Sequence, residues 1–127
     1  LNEVVLDASA LIALLRGEPG SALVEKRLAA AVLGTVNLAE VVSKLIKGGM
    51  PENLAISIMT SLGLRIIDFN EELAQMSARL AEDTKHLGLS LGDRACLALA
   101  QQLKLCVLTA DSSWTKLQLD IDVKLIR

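Results

Sequence analysis

Short apolar runs alternate along this chain with segments patterned for helices, and that alternation restricts the fold more than any other property. The stretches 4–6, 32–36, 64–67, 105–108 and 123–126 are rich in branched aliphatic residues. Between them, residues share faces at helical spacing. Residues 8–15 form one such segment, and Ser21 stands at the head of another with Val24, Leu28 and Ala31 on its stripe. Asn37 is expected to open a third helix to Lys47, and Pro51 a fourth with Leu54, Ile58 and Leu62 facing inward. Asn70 heads a long helix carrying Leu73, Met76, Ser77, Leu80 and Thr84 on one side, and Ser90 opens an almost wholly apolar helix over 92–103. Strands interleaved with helices predict three α/β/α layers around a mostly parallel, twisted sheet of four to five strands. A hydrophobic share of 52% suits strands buried on both faces. A length of 127 residues supports one core and is too short for two, so a single domain over 1–127 is expected.

Several classes of function are excluded early. No apolar run approaches the roughly 20 residues needed to cross a bilayer. The first residues include Glu3 and Asp7 and no basic leader, so a cytoplasmic protein is expected. Cys96 and Cys106 sit in apolar segments without CxxC spacing and read as free thiols. His86 is the single histidine and reads as a surface residue, which removes His/Cys zinc chemistry. A net charge of −2 argues against a module that holds nucleic acid by charge alone. With only Phe69 and Trp114 as aromatics, no base-stacking platform is available.

Four acids stand where an apolar run gives way to a new segment: Asp7 in EVVLDAS, Glu40 in AAVLGTVNLAE, Asp93 in LGLSLGD and Asp111 in LCVLTAD. If residues 3–6, 33–36 and 105–108 are parallel strands, Asp7, Glu40 and Asp111 lie at or just past their carboxyl ends. Open α/β sheets bind their ligands there. Each acid also has a local explanation. Asp7 and Asp111 precede helical segments, and Asn37-x-x-Glu40 and Ser90-x-x-Asp93 match the capping-box pattern. Taken together they point to a divalent cation, because gathered carboxylates repel unless one neutralises them. Ser9 and Thr109, two residues from Asp7 and Asp111, and Asn37, one turn before Glu40, are candidates to orient the acids or waters around them. Arg94, Arg16 and Lys44, with Lys47, Lys85 and Lys116, are candidates to touch a phosphate backbone.

The strings VVLDASALIALL at 4–15, TVNLAEVVSKL at 35–45, LSLGDRACLALA at 89–100 and VLTAD at 107–111 together resemble the PIN-domain nucleases. More narrowly they resemble the VapC toxins of type II toxin–antitoxin pairs. The resemblance covers nearly the whole chain, and its order is more specific than any single motif. It implies a PIN-like fold with Asp7, Glu40, Asp93 and Asp111 as the acidic site and Mg²⁺ or Mn²⁺ as cofactor. It also implies hydrolysis of RNA phosphodiesters by metal-activated water, a VapB-type antitoxin as partner, and a homodimer. Asp7, Asp93 and Asp111 are then the expected ligands, with Glu40 holding a second ion or the attacking water. A receiver-like phosphoacceptor is the first rival, but Asp7 lacks a paired acid and Lys124 lies inside the last apolar run. A dehalogenase-like phosphatase would need a second acid at Ser9. The third rival is a PIN scaffold without activity that works by binding protein.

Overall fold

The computed structural model describes residues 2–127; Leu1, the first residue of the expected domain, lies outside them. Five strands, β1 (Val4–Leu6), β2 (Ala31–Gly34), β3 (Arg65–Ile67), β4 (Cys106–Thr109) and β5 (Val123–Leu125), form one sheet in the order β3-β2-β1-β4-β5. Every neighbouring pair is parallel, with Val5 opposite both Val32 and Val107. Six α-helices connect them: α1 (Ala8–Arg16), α2 (Ser21–Arg27), α3 (Thr35–Lys47), α4 (Glu52–Ser61), α5 (Glu71–Thr84) and α6 (Leu91–Leu103).

The period-two geometry of the strands sorts the core into two halves. Val4, Leu6, Ala31, Leu33 and Leu108 pack on one face with residues of α1 to α4. Val5, Val32 and Val107 pack on the other with α5, α6 and the buried Trp114 of the 3-10 turn Ser112–Lys116. The expected three-layer arrangement is therefore observed, with the sheet parallel throughout. The chain moves outward from β1 to β3 across one face, then returns over the other face to place β4 on the far side of β1. That reversal makes the carboxyl ends of β1 and β4 the switch point of the sheet, the place where open α/β folds bind their ligands.

Some boundaries differ from expectation. The second strand ends at Gly34, and α3 starts at Thr35 with Gly34 as its N-cap, so Asn37 lies within the first turn. Ser21 does not cap α2; Gly20 does, in a left-handed conformation (φ 95°). A side chain on Gly20 would run into Ile126 as well. In α4 the inward residues are Ala55 and Met59, while Leu54 is 48% exposed. Asn70 caps α5 through Leu73 N at 2.9 Å, and Leu73, Ser77, Leu80 and Thr84 are buried as the stripe requires. Among the described residues no helix is long and apolar enough to cross a membrane.

Candidate active site

Asp7 leaves β1 at the switch point and begins α1. Its backbone N–H still follows the sheet, donating to the Leu108 carbonyl at 3.0 Å. The side chain is 4% exposed and accepts three hydrogen bonds: from Ala8 N at 2.8 Å, Ser9 Oγ at 2.6 Å and Thr109 Oγ1 at 2.8 Å. Both hydroxyls give their single proton to Asp7 Oδ2, so their own 3.2 Å approach follows from sharing an acceptor. The same hydroxyls accept from the next strand end, Ser9 from Ala110 N at 3.0 Å and Thr109 from Asp111 N at 3.1 Å. Ser9 and Thr109 thus fasten Asp7 to the end of β4. Burial still outweighs these bonds and, with the nearby charge of Asp93, raises the Asp7 carboxyl above its ordinary value.

Glu40 comes from α3 and Asp93 from the first turn of α6, which runs antiparallel to β4 and so starts at the same edge of the sheet. Glu40 is half-buried, and Asn37 Nδ2 donates to its Oε1 at 2.7 Å. Partial burial raises its carboxyl, the Asn37 bond opposes this, and the charges of Asp7 and Asp93 raise it further. Asp93 belongs to a true capping box: its Oδ2 accepts from Ser90 N at 3.0 Å and its N–H donates to Ser90 Oγ at 3.2 Å. Capping does occupy Asp93, as its spacing suggested, but only through one of its two oxygens. Cys96, one turn later on α6, registers all three acids at once. Its thiol is pushed well up, first by complete burial and then by Asp7, Asp93 and Glu40. It is an inert group beneath the carboxylates, with Sγ 3.7 Å from the Leu6 carbonyl.

The fourth acid stands apart. Asp111 is exposed, and its Oδ1 accepts from Ser113 N at 2.9 Å and Ser113 Oγ at 2.7 Å, capping its own 3-10 turn. Its link to the others runs through its N–H and the Thr109 hydroxyl. Among the described residues, no three His, Cys, Asp or Glu side chains form a ready-made cation cage. The donor set nonetheless suits a hard divalent ion: carboxylate oxygens without histidine or thiolate competition at the surface. None of the three ion pairs among the described residues, Arg65–Glu3, Lys85–Glu82 and Arg127–Glu18, involves any of these acids.

The basic candidates divide. Arg94 turns away from the acids and donates to the Ser77 carbonyl at 3.0 Å, tying α6 to α5. Arg16 donates to the Lys44 backbone carbonyl at 3.4 Å, tying the end of α1 to the last turn of α3 at the surface. The charge of Lys44, one turn beyond Glu40, partly offsets the rise in the Glu40 carboxyl. Lys47, Lys85, Lys116 and His86 are exposed. Cys96 and Cys106 are free, the first buried and the second half-buried.

Asn37, expected beside the acids, lies at the site together with Gly92, which the sequence did not single out. Asn37 is 1% exposed, and its Nδ2 also donates to the Gly92 carbonyl at 3.1 Å, while its Oδ1 finds no partner. An orphaned buried acceptor costs about 1–3 kcal/mol. Gly92 leaves the room that the Glu40 carboxylate fills. A glycine inside a helix costs roughly 0.5–1 kcal/mol against alanine. Size does not mark the site: a cleft of about 630 Å³ lies at the opposite edge of the sheet, lined by Lys104, Cys106, Asp120 and Asp122 among others.

Comparison with known proteins bears on the fold. The family model described as PIN domain matches residues 4–118. No curated protein matches the sequence. Among solved structures, a toxin–antitoxin complex from Klebsiella pneumoniae superposes with a TM-score of 0.76 at 23% identity, covering 98% of each chain. A DNA-bound VapBC from Salmonella typhimurium gives 0.76 at 11% identity over 100% of both chains. A Mycobacterium tuberculosis VapC described as a sarcin–ricin loop cleaving toxin gives 0.76 at 15% identity, covering 90% of this chain and 94% of its own. At these identities the superpositions establish a shared fold.

Proposed function

The chain belongs to the PIN domain family, and from that premise we propose that it is a metal-dependent endoribonuclease of the VapC toxin type. The observation that carries this reading is the convergence of Asp7, Glu40 and Asp93 at the switch point of the sheet, with no salt bridge to any of them among the described residues. Burial raises the Asp7 and Glu40 carboxyls, the neighbouring acids raise them further, and a bound cation would offset both effects. Asp7 and Asp93 are proposed as the residues that hold Mg²⁺ or Mn²⁺, with Asp111 completing the set from the end of β4. A divalent ion held there would supply electrostatic neutralisation of the phosphodiester and of its leaving oxygen.

The remaining work falls to the chain itself. Asp7 is held by three donors, so its geometry is fixed before substrate arrives. Glu40 Oε1 is occupied by Asn37, and among the described residues Oε2 has no donor. Oε2 is therefore suited to accept a hydrogen bond from the attacking water and align it with phosphorus. A carboxyl raised toward working pH is the better proton acceptor for that step. Arg16 and Lys44 are proposed to contact the RNA backbone away from the scissile bond. Complexes of toxin with antitoxin among the similar folds support a VapB-type antitoxin as partner, with a homodimer as the proposed assembly. A cytoplasmic location fits this role. A silent PIN scaffold is the alternative, and the intact acid set argues against it.

Sequencing of RNA ends after induced expression tests the proposal. Cleavage should leave 5′-phosphate and 3′-hydroxyl ends, and the purified protein should lose cleavage in EDTA and regain it with Mn²⁺. Cleavage that persists at full rate in EDTA contradicts the mechanism.

A further inference from the structure

Asn37 and Glu40 lie one turn apart on α3, yet the group that completes their arrangement belongs to α6. Asn37 Nδ2 donates to Glu40 Oε1 and to the Gly92 carbonyl, at 2.7 and 3.1 Å, which uses both amide hydrogens. Turning the amide over would set its oxygen against a carboxylate and a carbonyl, so its neighbours fix its orientation. Oδ1 is left buried without a partner as a consequence. Helix capping does not account for this residue, because α3 begins two positions earlier at Thr35.

Gly92 is the other half of the arrangement. A Cβ added there would collide with the carboxyl carbon and both oxygens of Glu40. The position lies in the first turn of a helix, where alanine is the stronger helix former, so the glycine answers to the neighbouring carboxylate and not to α6. We infer that Asn37 and Gly92 are positioning residues that clasp the Glu40 carboxylate against the start of α6, near Asp93. The catalytic part of this role rests on the nuclease reading above; the clasp itself does not.

The experiment is a double-mutant cycle joined to hydrogen exchange on the full chain. Gly92→Ala should lower Mn²⁺-dependent RNA cleavage roughly 10- to 100-fold, mainly in kcat. In a Glu40→Ala background the same alanine should cause no further loss, since the group it displaces is gone. By NMR, the Asn37 side-chain amide should exchange at least about ten times more slowly than that of exposed Asn53, and Gly92→Ala should abolish the difference. Equal losses from Gly92→Ala in both backgrounds would overturn the positioning role, as would an Asn37 amide exchanging like that of Asn53. If Gly92→Ala fails to fold, recovery of folding in the double variant supports the clasp, and failure of the double variant overturns it. No metal-dependent cleavage by the unaltered chain, with its Asn37 amide protected, sinks the nuclease reading while supporting the clasp.

Discussion

Asp7→Asn is expected to reduce metal-dependent cleavage by roughly 10³-fold or more and, in the presence of EDTA, to raise the thermal unfolding midpoint at pH 7. The two effects have one cause. Asp7 is 4% exposed and faces the charge of Asp93, so its native carboxyl holds its proton more tightly than an unfolded one would. Between the ordinary value of 3.8 and the raised native value, the native state binds more protons, so stability falls as pH rises through that window. Above it the full penalty of a buried anion remains. Asparagine keeps the shape and removes the charge. Its amide can be received because the Ser9 and Thr109 oxygens lie 3.2 Å apart, and one hydroxyl can turn to donate to the other. Thermal melts of both proteins from pH 3 to 8 in EDTA check this. The variant's advantage at neutral pH should close as pH falls below the ordinary carboxylate value. A variant less stable than the wild type at pH 7 would contradict the electrostatic argument.

Trp114→Ala is expected to have the largest effect on stability, about 3–5 kcal/mol, and to lower the midpoint by roughly 10–20 °C. Trp114 is 1% exposed and is the largest fully buried side chain, seated in the core layer under α5 and α6. It also anchors the turn that Asp111 caps. Trp114→Phe should cost much less, because the indole Nε1 is buried without an acceptor and no hydrogen bond is lost with it. Circular dichroism melts measure both variants after removal of the only tryptophan. Below its midpoint Trp114→Ala should keep far more of its cleavage than Asp7→Asn, since Asp7 is held by Ser9 of α1 and Thr109 of β4 and only Asp111 sits on the turn that the indole anchors. Instability and loss of chemistry then separate between Trp114 and Asp7.

The parallel sheet was legible because its strands are short, aliphatic and separated by helical spacing. Boundaries were harder where local signals compete. Gly34 and Thr35 carry no strong cap, so the asparagine two residues on looked like the start of α3. In α4, residues 54, 58 and 62 and residues 55 and 59 make two apolar stripes, and only contact with α3 selects Ala55 and Met59. The acids at 7, 40 and 93 could be located because segment starts in a parallel sheet share an edge. An i, i+3 pair such as Asn37 and Glu40 reads equally as a capping box or as neighbours on one helical face. Distinguishing them requires Gly92, which is 55 residues from Asn37 in the chain. The fixing of Asp7 by Thr109 spans 102 residues and depends on the β1–β4 register. A glycine in the first turn of an otherwise alanine- and leucine-rich helix was the one available hint of close approach.

On this reading the carboxylates at 7, 40 and 93 tolerate one another because a divalent cation would join them. Calorimetric titration of Mn²⁺ into the wild type, Asp7→Asn and Asp93→Asn at pH 7 tests it most directly. Saturable binding by the wild type, weakened at least about tenfold in each variant, is the predicted result. Binding that is absent from the wild type, or equally tight in all three proteins, would contradict it.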